Sequence, residues 1–297
     1  MAKIKILSTS TGAIQFAPER YQKHDIDIVD LHLTFKGIEH LESQMDPQKF
    51  YSELETLENP KNNLPKTSVP SIAEIQAHYQ KALDEGYDTV IAFVISTGLS
   101  GAYSAFLTAA KDYEGKLDIH VIDTKTSAFV EGIHAVRAAE MLERGCSVEE
   151  VLKETEWAIK HQEFLGVDAK LDYLIYNGRL KGAKAFMGQM LKICPVLQFS
   201  RDGFLEAVES VRTQKKAILR LCEKMKEIIG DRDPKDYILY QIYTGEAMID
   251  LLNEAEAKTG LKTNHEGVVM TPVSGCHNGP WLAGYGYYCI RREDEAL

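Results

Sequence analysis

The residues of this chain that could do chemistry gather where apolar runs end. Thr89 to Ile95 leads into Ser96-Thr97-Gly98-Leu99-Ser100-Gly101, and that corner opens the helical pattern Ala102-Tyr103-Ser104-Ala105-Phe106-Leu107. Backbone N–H groups at a helix start lack intrahelical partners and lie at the positive end of the macrodipole. Short hydroxyl and glycine residues let a ligand reach them, so the corner suits a phosphate or a carboxylate. The same residue types also serve as plain caps and turns. A second hydroxyl pair, Thr67 and Ser68, follows a polar, proline-bounded connection from Asn59 to Pro65. Ser71 and Glu74 then make a capping box that starts a helix at Ser71. Capping is thereby assigned, and Thr67 and Ser68, read as the end of a loop, are left without a structural task.

Nucleophilic hydrolysis is the first enzyme class to weigh. Gly98-Leu99-Ser100-Gly101 has the start of a nucleophile elbow, but G-x-S-x-G needs a last glycine where Ala102 stands. Sequence alone matches no histidine or acid to Ser100. A P-loop, a G-x-G-x-x-G fingerprint and an H-E-x-x-H zinc motif are absent. The expectation is a binding protein with no catalytic residue, cofactor or metal of its own. A serine esterase or acyltransferase using Ser100 is the alternative, followed by a binder of another small anion.

Two further residues sit in constrained segments. Arg179 lies in the turn Asn177-Gly178-Arg179-Leu180-Lys181-Gly182, where a guanidinium could clamp a carboxylate or remain a solvated surface group. Lys181, Lys184 and Lys192 form a modest basic cluster there, and Ala185 to Leu191, rich in Met and Phe, reads as a packed helix or an adaptable apolar wall. His277 lies in Pro272 to Gly284, whose glycines imply a tight loop, and it is either a structural imidazole or a donor to an acidic ligand. Cys276 beside it has no partner in the sequence that would lower its pKa.

The elements that must position these residues fall into two groups. Ile4–Leu7, Thr89–Ile95 and Leu117–Ile122 are apolar strands, each followed by a hydroxyl-rich corner and an amphipathic segment. That alternation predicts an α/β domain with a parallel sheet covered on both faces and a ligand crevice at the carboxyl ends of its strands. Gly145 stops one helix and Ser147 to Glu150 caps the next. Beyond about residue 160 the pattern changes: a hairpin flanks Arg201-Asp202-Gly203, helices cover Ile218 to Ile228 and Glu246 to Lys258, and strands lie at Tyr237–Tyr243, Val268–Val273 and Gly284–Ile290. The expected fold class is therefore an N-terminal parallel-sheet α/β domain over 1–160, followed by a smaller mixed α+β domain over 161–297.

Composition bounds the partners. A chain of 297 residues with 44% hydrophobic and 26% charged residues is long enough for two sizeable cores. Its net charge of −10 disfavours nucleic acid and anionic membrane surfaces. Five cysteines without C-x-x-C spacing argue against a disulfide framework or structural zinc. No long apolar stretch or cleavage signature appears, so a cytoplasmic protein without membrane insertion is expected.

Taken together and in order, the motifs resemble those of the DegV family of bacterial fatty-acid-binding proteins. Thr67-Ser68-Val69-Pro70-Ser71 is similar to the family's T-S-x-P-S, and Ser96-Thr97-Gly98-Leu99-Ser100-Gly101 to its S-S-x-L-S-G. Val121-Ile122-Asp123-Thr124 corresponds to V-x-D-[ST], Gly178-Arg179-Leu180 to G-G-R-[IL], and His277-Asn278-Gly279-Pro280 to H-x-G-P-G. The resemblance implies a long-chain fatty acid such as palmitate, its carboxylate held by Thr67 with Ser68 beside it and by Thr97 with Ser96 beside it. The tail would lie in an apolar tunnel between the domains, each buried methylene contributing about 0.8 kcal/mol. It also implies that Arg179 and His277 serve the head group and that the acid is presented to a separate fatty-acid kinase. This chain departs from the pattern at Thr9, where the family has an acid, at Tyr176, where it has a lysine, and at Trp281, where a glycine is usual and an indole would shorten or cover the pocket.

Overall fold

The computed structural model describes residues 3–182 and 193–296. In chain order the first strands are β1 (Ile4–Thr9), β2 (Ile26–Val29), β3 (His32–Phe35), β4 (Ile38–Leu41), β5 (Lys66–Ser68), β6 (Thr89–Val94) and β7 (Asp118–Asp123). The later ones are β8 (Glu163–Asp168), β9 (Cys194–Phe199), β10 (Leu205–Val211), β11 (Tyr237–Tyr243), β12 (Val268–Val269) and β13 (Leu282–Cys289). The helices of the first half are α1 (Glu19–Gln22), α2 (Pro47–Glu55), α3 (Pro60–Asn63), α4 (Ile72–Asp84), α5 (Ala102–Ala110), α6 (Phe129–Glu143) and α7 (Val148–His161). Those of the second are α8 (Asp172–Tyr176), α9 (Gln214–Ile229), α10 (Glu246–Thr259) and α11 (Pro272–Asn278).

Strands β2-β1-β6-β7 form the expected sheet, parallel throughout. Every residue of β6 is buried, and its alternation explains why. Val90, Ala92 and Val94 pack with Leu7 and the α4 and α5 side chains Ile75, Tyr79 and Phe106, whereas Ile91 and Phe93 face the core that contains α6. Helix α4 starts at the predicted capping box of Ser71 and Glu74, and α7 at that of Ser147 and Glu150.

The second sheet has the order β10-β9-β8-β13-β11-β12. Its pairs are antiparallel except β11 with β12, and the last strand, β13, lies between β8 and β11. Helices α9 and α10 pack on this sheet, and α6 and α7 reach it through β13. Helix α6 also packs on β1 and β6, so it is a layer common to both sheets. This accounts for the run of buried residues from Phe129 to Val136. Gly132 lies against the corner after β1, where a Cβ would stand 2.0 Å from the Gly12 carbonyl oxygen.

Two segments differ from the sequence reading. Thr67 and Ser68 are not loop but part of β5, in a small sheet ordered β4-β3-β5, with Thr67 opposite Leu33. A strand of three residues is too short to show a period. The expected strand Val268–Val273 stops after two residues, and α11 takes over, so His277 lies on a helix and not in a glycine loop. Its start is marked by Thr271, whose Oγ1 accepts from Ser274 N, and by Pro272 at the first helical position, where no N–H is needed.

Candidate functional site

A cavity of about 510 Å³ lies where the hydroxyl corners meet α11 and the turn after α8. Thr67, Ser68, Thr97, Arg179 and His277 all line it. Its walls mix hydroxyl groups with apolar side chains, Leu31, Ile95, Phe164, Phe199, Leu205 and Met270 among them. A pocket of this size with apolar walls on one part and convergent polar groups on another suits a small amphipathic organic ligand.

Thr67 Oγ1 and His277 Nε2 are 3.0 Å apart, while His277 Nδ1 is buried without a partner among the described residues. Burial, with Arg179 nearby as the lesser cause, pushes the His277 pKa down to about 3, so the ring is neutral and carries one N–H. Arg179 donates from Nη1 to Asn177 O at 2.6 Å and from Nε to Leu99 O at 3.3 Å. Both acceptors are neutral carbonyls. Lys181 nearby pairs with Glu206 at 2.7 Å, but Arg179 has no carboxylate among the described residues. The cavity thus holds a half-buried cation that meets no carboxylate among the described residues.

The corner after β6 is built differently from the expectation. Ser96 does not line the cavity: its buried hydroxyl donates to Gly203 O at 2.7 Å and accepts from Gly98 N at 3.1 Å, pinning the corner to the β9–β10 hairpin. Gly98 is required there, because a Cβ would lie 2.3 Å from Gly203 O. Thr97 is on the cavity, but its hydroxyl donates to Asp123 Oδ2 at 2.6 Å. Asp123 also accepts from Lys125 Nζ at 2.8 Å, so Thr97 presents lone pairs, not a proton, to a ligand.

Nucleophiles are not activated here. Ser100 Oγ accepts from Ala102 N at 3.2 Å, just before α5, and the cavity's histidine is committed to Thr67. Burial pushes the Cys276 thiol well up, away from the reactive thiolate. Trp281 does not block the cavity: it packs edge-on against Tyr173 with Lys170 Nζ 3.7 Å from its ring centroid. Thr9 is buried beneath the corner and donates to Glu131 on α6, and Tyr176 is exposed. Lys184, Lys192 and Ala185 to Leu191 lie outside the described residues.

Sequence reasoning missed Ser127, Ser274 and Asn278, which also line the cavity. Ser127 and Ser274 hydroxyls are 3.2 Å apart, and Asn278 Nδ2 donates to Ser274 O at 3.0 Å. Ser274 had a signal in Thr271-Pro272-Val273-Ser274, the opening of a helix that points its next turn at the pocket.

The DegV family model matches residues 3–289 of this chain. A protein of Thermotoga maritima called fatty acid-binding protein is 30% identical over 301 residues, covering 98% of this chain and 99% of its own. Bacillus subtilis protein DegV is 31% identical over 257 residues, or 86% and 88% of the two chains. Among solved structures, a fatty acid binding DegV family protein from Streptococcus agalactiae has a TM-score of 0.87 at 27% identity, covering 98% of this chain and all of that one (100%). A stearic acid-binding protein from Eubacterium ventriosum has a TM-score of 0.83 at 26% identity, with coverage of 96% and 98%.

Proposed function

We propose, from the premise that this chain belongs to the DegV family, that it binds a long-chain fatty acid with the carboxylate at Arg179 and the tail along the apolar walls. The Arg179 guanidinium, which meets only neutral carbonyls among the described residues, carries the reading. A half-buried cation whose neighbours are neutral groups is costly unless an anion joins it, and a carboxylate matches its fork of donors. With its one N–H at Nε2, neutral His277 donates to Thr67 Oγ1, which frees the Thr67 proton for a carboxylate oxygen. Ser68 stands beside it at the rim. Thr97 joins when its hydroxyl turns from Asp123 to the ligand, since Lys125 still neutralises the carboxylate left behind. Residues 1–160 supply Thr67, Ser68 and Thr97, and residues 161–297 supply Arg179 and His277, so the acid would lie between the two units.

The proposed role is carriage, with the chain making no bond itself. Presentation of the acid to a separate fatty-acid kinase is the finer part of this reading and rests on the family resemblance. Five free cysteines fit a cytoplasmic setting, and no described helix is long and apolar enough to cross a membrane. Solvent extraction of protein purified from cells, followed by mass spectrometry, is expected to yield fatty acids. Added palmitate should raise the Tm of delipidated protein. Empty extracts together with an unmoved Tm would overturn the reading.

A further inference from the structure

The wall that carries His277 and Ser274 is not held by its own sheet. Helix α11 is held from the second half by Asn177, whose Nδ2 donates to Cys276 O at 2.9 Å, and from the first half by two further residues. Glu42, fully buried, accepts from Val273 N at 2.6 Å through Oε1 and from Ser10 Oγ at 2.6 Å through Oε2. Ser10 Oγ in turn accepts from Leu31 N at 2.9 Å, and Leu31 is a cavity wall. Tyr51 donates to Met270 O and Thr271 O at 3.0 and 3.1 Å, and its ring lies so close to Gly275 that a Cβ there would stand 2.4 Å from the phenol oxygen. The α11 backbone is therefore fixed at Val273 by a carboxyl group and at Gly275 by a ring.

We infer that Glu42 is a positioning residue for the head-group end of the cavity: it sets the α11 backbone so that His277 holds Thr67, whose hydroxyl meets the ligand carboxylate. It acts through α11 and Ser10 and touches no ligand itself. The inference rests on the fatty-acid reading for its ligand but not for its geometry. Removing the Glu42 carboxyl leaves the Val273 N–H buried without an acceptor, and the strain is relieved by movement of α11. His277 lies one turn further along the same helix, so a small displacement there breaks its 3.0 Å contact with Thr67.

The test compares wild type, Glu42→Ala, Glu42→Gln and Ser10→Ala. Two readouts are taken: amide hydrogen exchange of α11 in ligand-free protein, and affinity for palmitate against hexadecanol, which shares the tail but lacks the carboxylate. Glu42→Ala is expected to speed exchange at Val273 to Cys276 at least tenfold. It should weaken palmitate about tenfold and leave hexadecanol within twofold, whereas Glu42→Gln, which keeps an acceptor for Val273 N, should stay within threefold of wild type for palmitate. Ser10→Ala, which keeps the carboxyl but loosens it, should show the same selective loss on a smaller scale and serves if Glu42→Ala does not fold. Unchanged α11 exchange, or equal losses for palmitate and hexadecanol, would overturn the assignment. A wild-type protein that ignores palmitate would sink the fatty-acid reading alone, and the exchange data would still decide the role of Glu42.

Discussion

Arg179 and the Thr67–His277 pair define what the site can read. Replacing Arg179 by Ala removes a charge-assisted contact of about 1.5–3 kcal/mol, so palmitate affinity measured by calorimetry should fall roughly tenfold to a hundredfold. Hexadecanol binding should hardly change. Thr67→Val is expected to cost about 1 kcal/mol of palmitate binding, roughly fivefold, because it removes the donor that His277 sets free. The sequence singled out Thr67, Ser68, Arg179 and His277, which do line the cavity, but misread the local structure of three of them: Thr67 and Ser68 are strand and His277 is helix. Ser96 was not legible, since its hydroxyl is claimed by Gly203, a residue more than a hundred positions away. Thr97 was half legible: its place on the cavity was foreseen, but its bond to Asp123 depends on how β6 and β7 register.

At the level of elements, α6 is the part that tolerates least change. Gly132→Ala would drive a Cβ into the Gly12 carbonyl, backbone against backbone, and should cost about 3 kcal/mol or more in urea unfolding. Gly101→Ala, at the start of α5 with nothing within 4 Å of the added carbon, should stay within about 0.5 kcal/mol. The long periodic elements were readable because each buries one face: α4, α7, α9 and β11 lie where hydrophobic spacing and caps put them. Elements of one or two repeats were not. Strand β5 owes its existence to β3, and α11 hides among glycines that suggest a loop, although Thr271 and Pro272 mark its start.

Across the whole molecule, buried acids set the pH response. Burial pushes Glu42 and Glu163 up to about 7, and drives Glu131 and Asp168 well above the usual carboxylate range. The folded chain therefore holds protons that the unfolded chain, titrating near 4.5 for Glu, releases. Their stabilisation is complete below that value and is lost as pH rises through the folded pKa. His134 and His277 act oppositely: burial lowers them to about 4 and about 3, so their contribution is complete above 6.5 and is lost in acid. Between 6.5 and about pH 8 only the carboxyls of this set change, and Tm should fall across that window in a calorimetric scan.

The central place of β13 has a temporal consequence. A ribosome delivers the chain from its N-terminus, and domains tend to fold as they emerge. The parallel sheet can assemble early, but β8 and β11 must wait for β13, the final strand, to fill the gap between them. Until then the second face of α6 stays uncovered. From the completion of α6 to that of β13 the nascent protein therefore carries an uncovered apolar helix face, and a chain stopped before Leu282 should aggregate or be degraded instead of surviving as a shortened carrier.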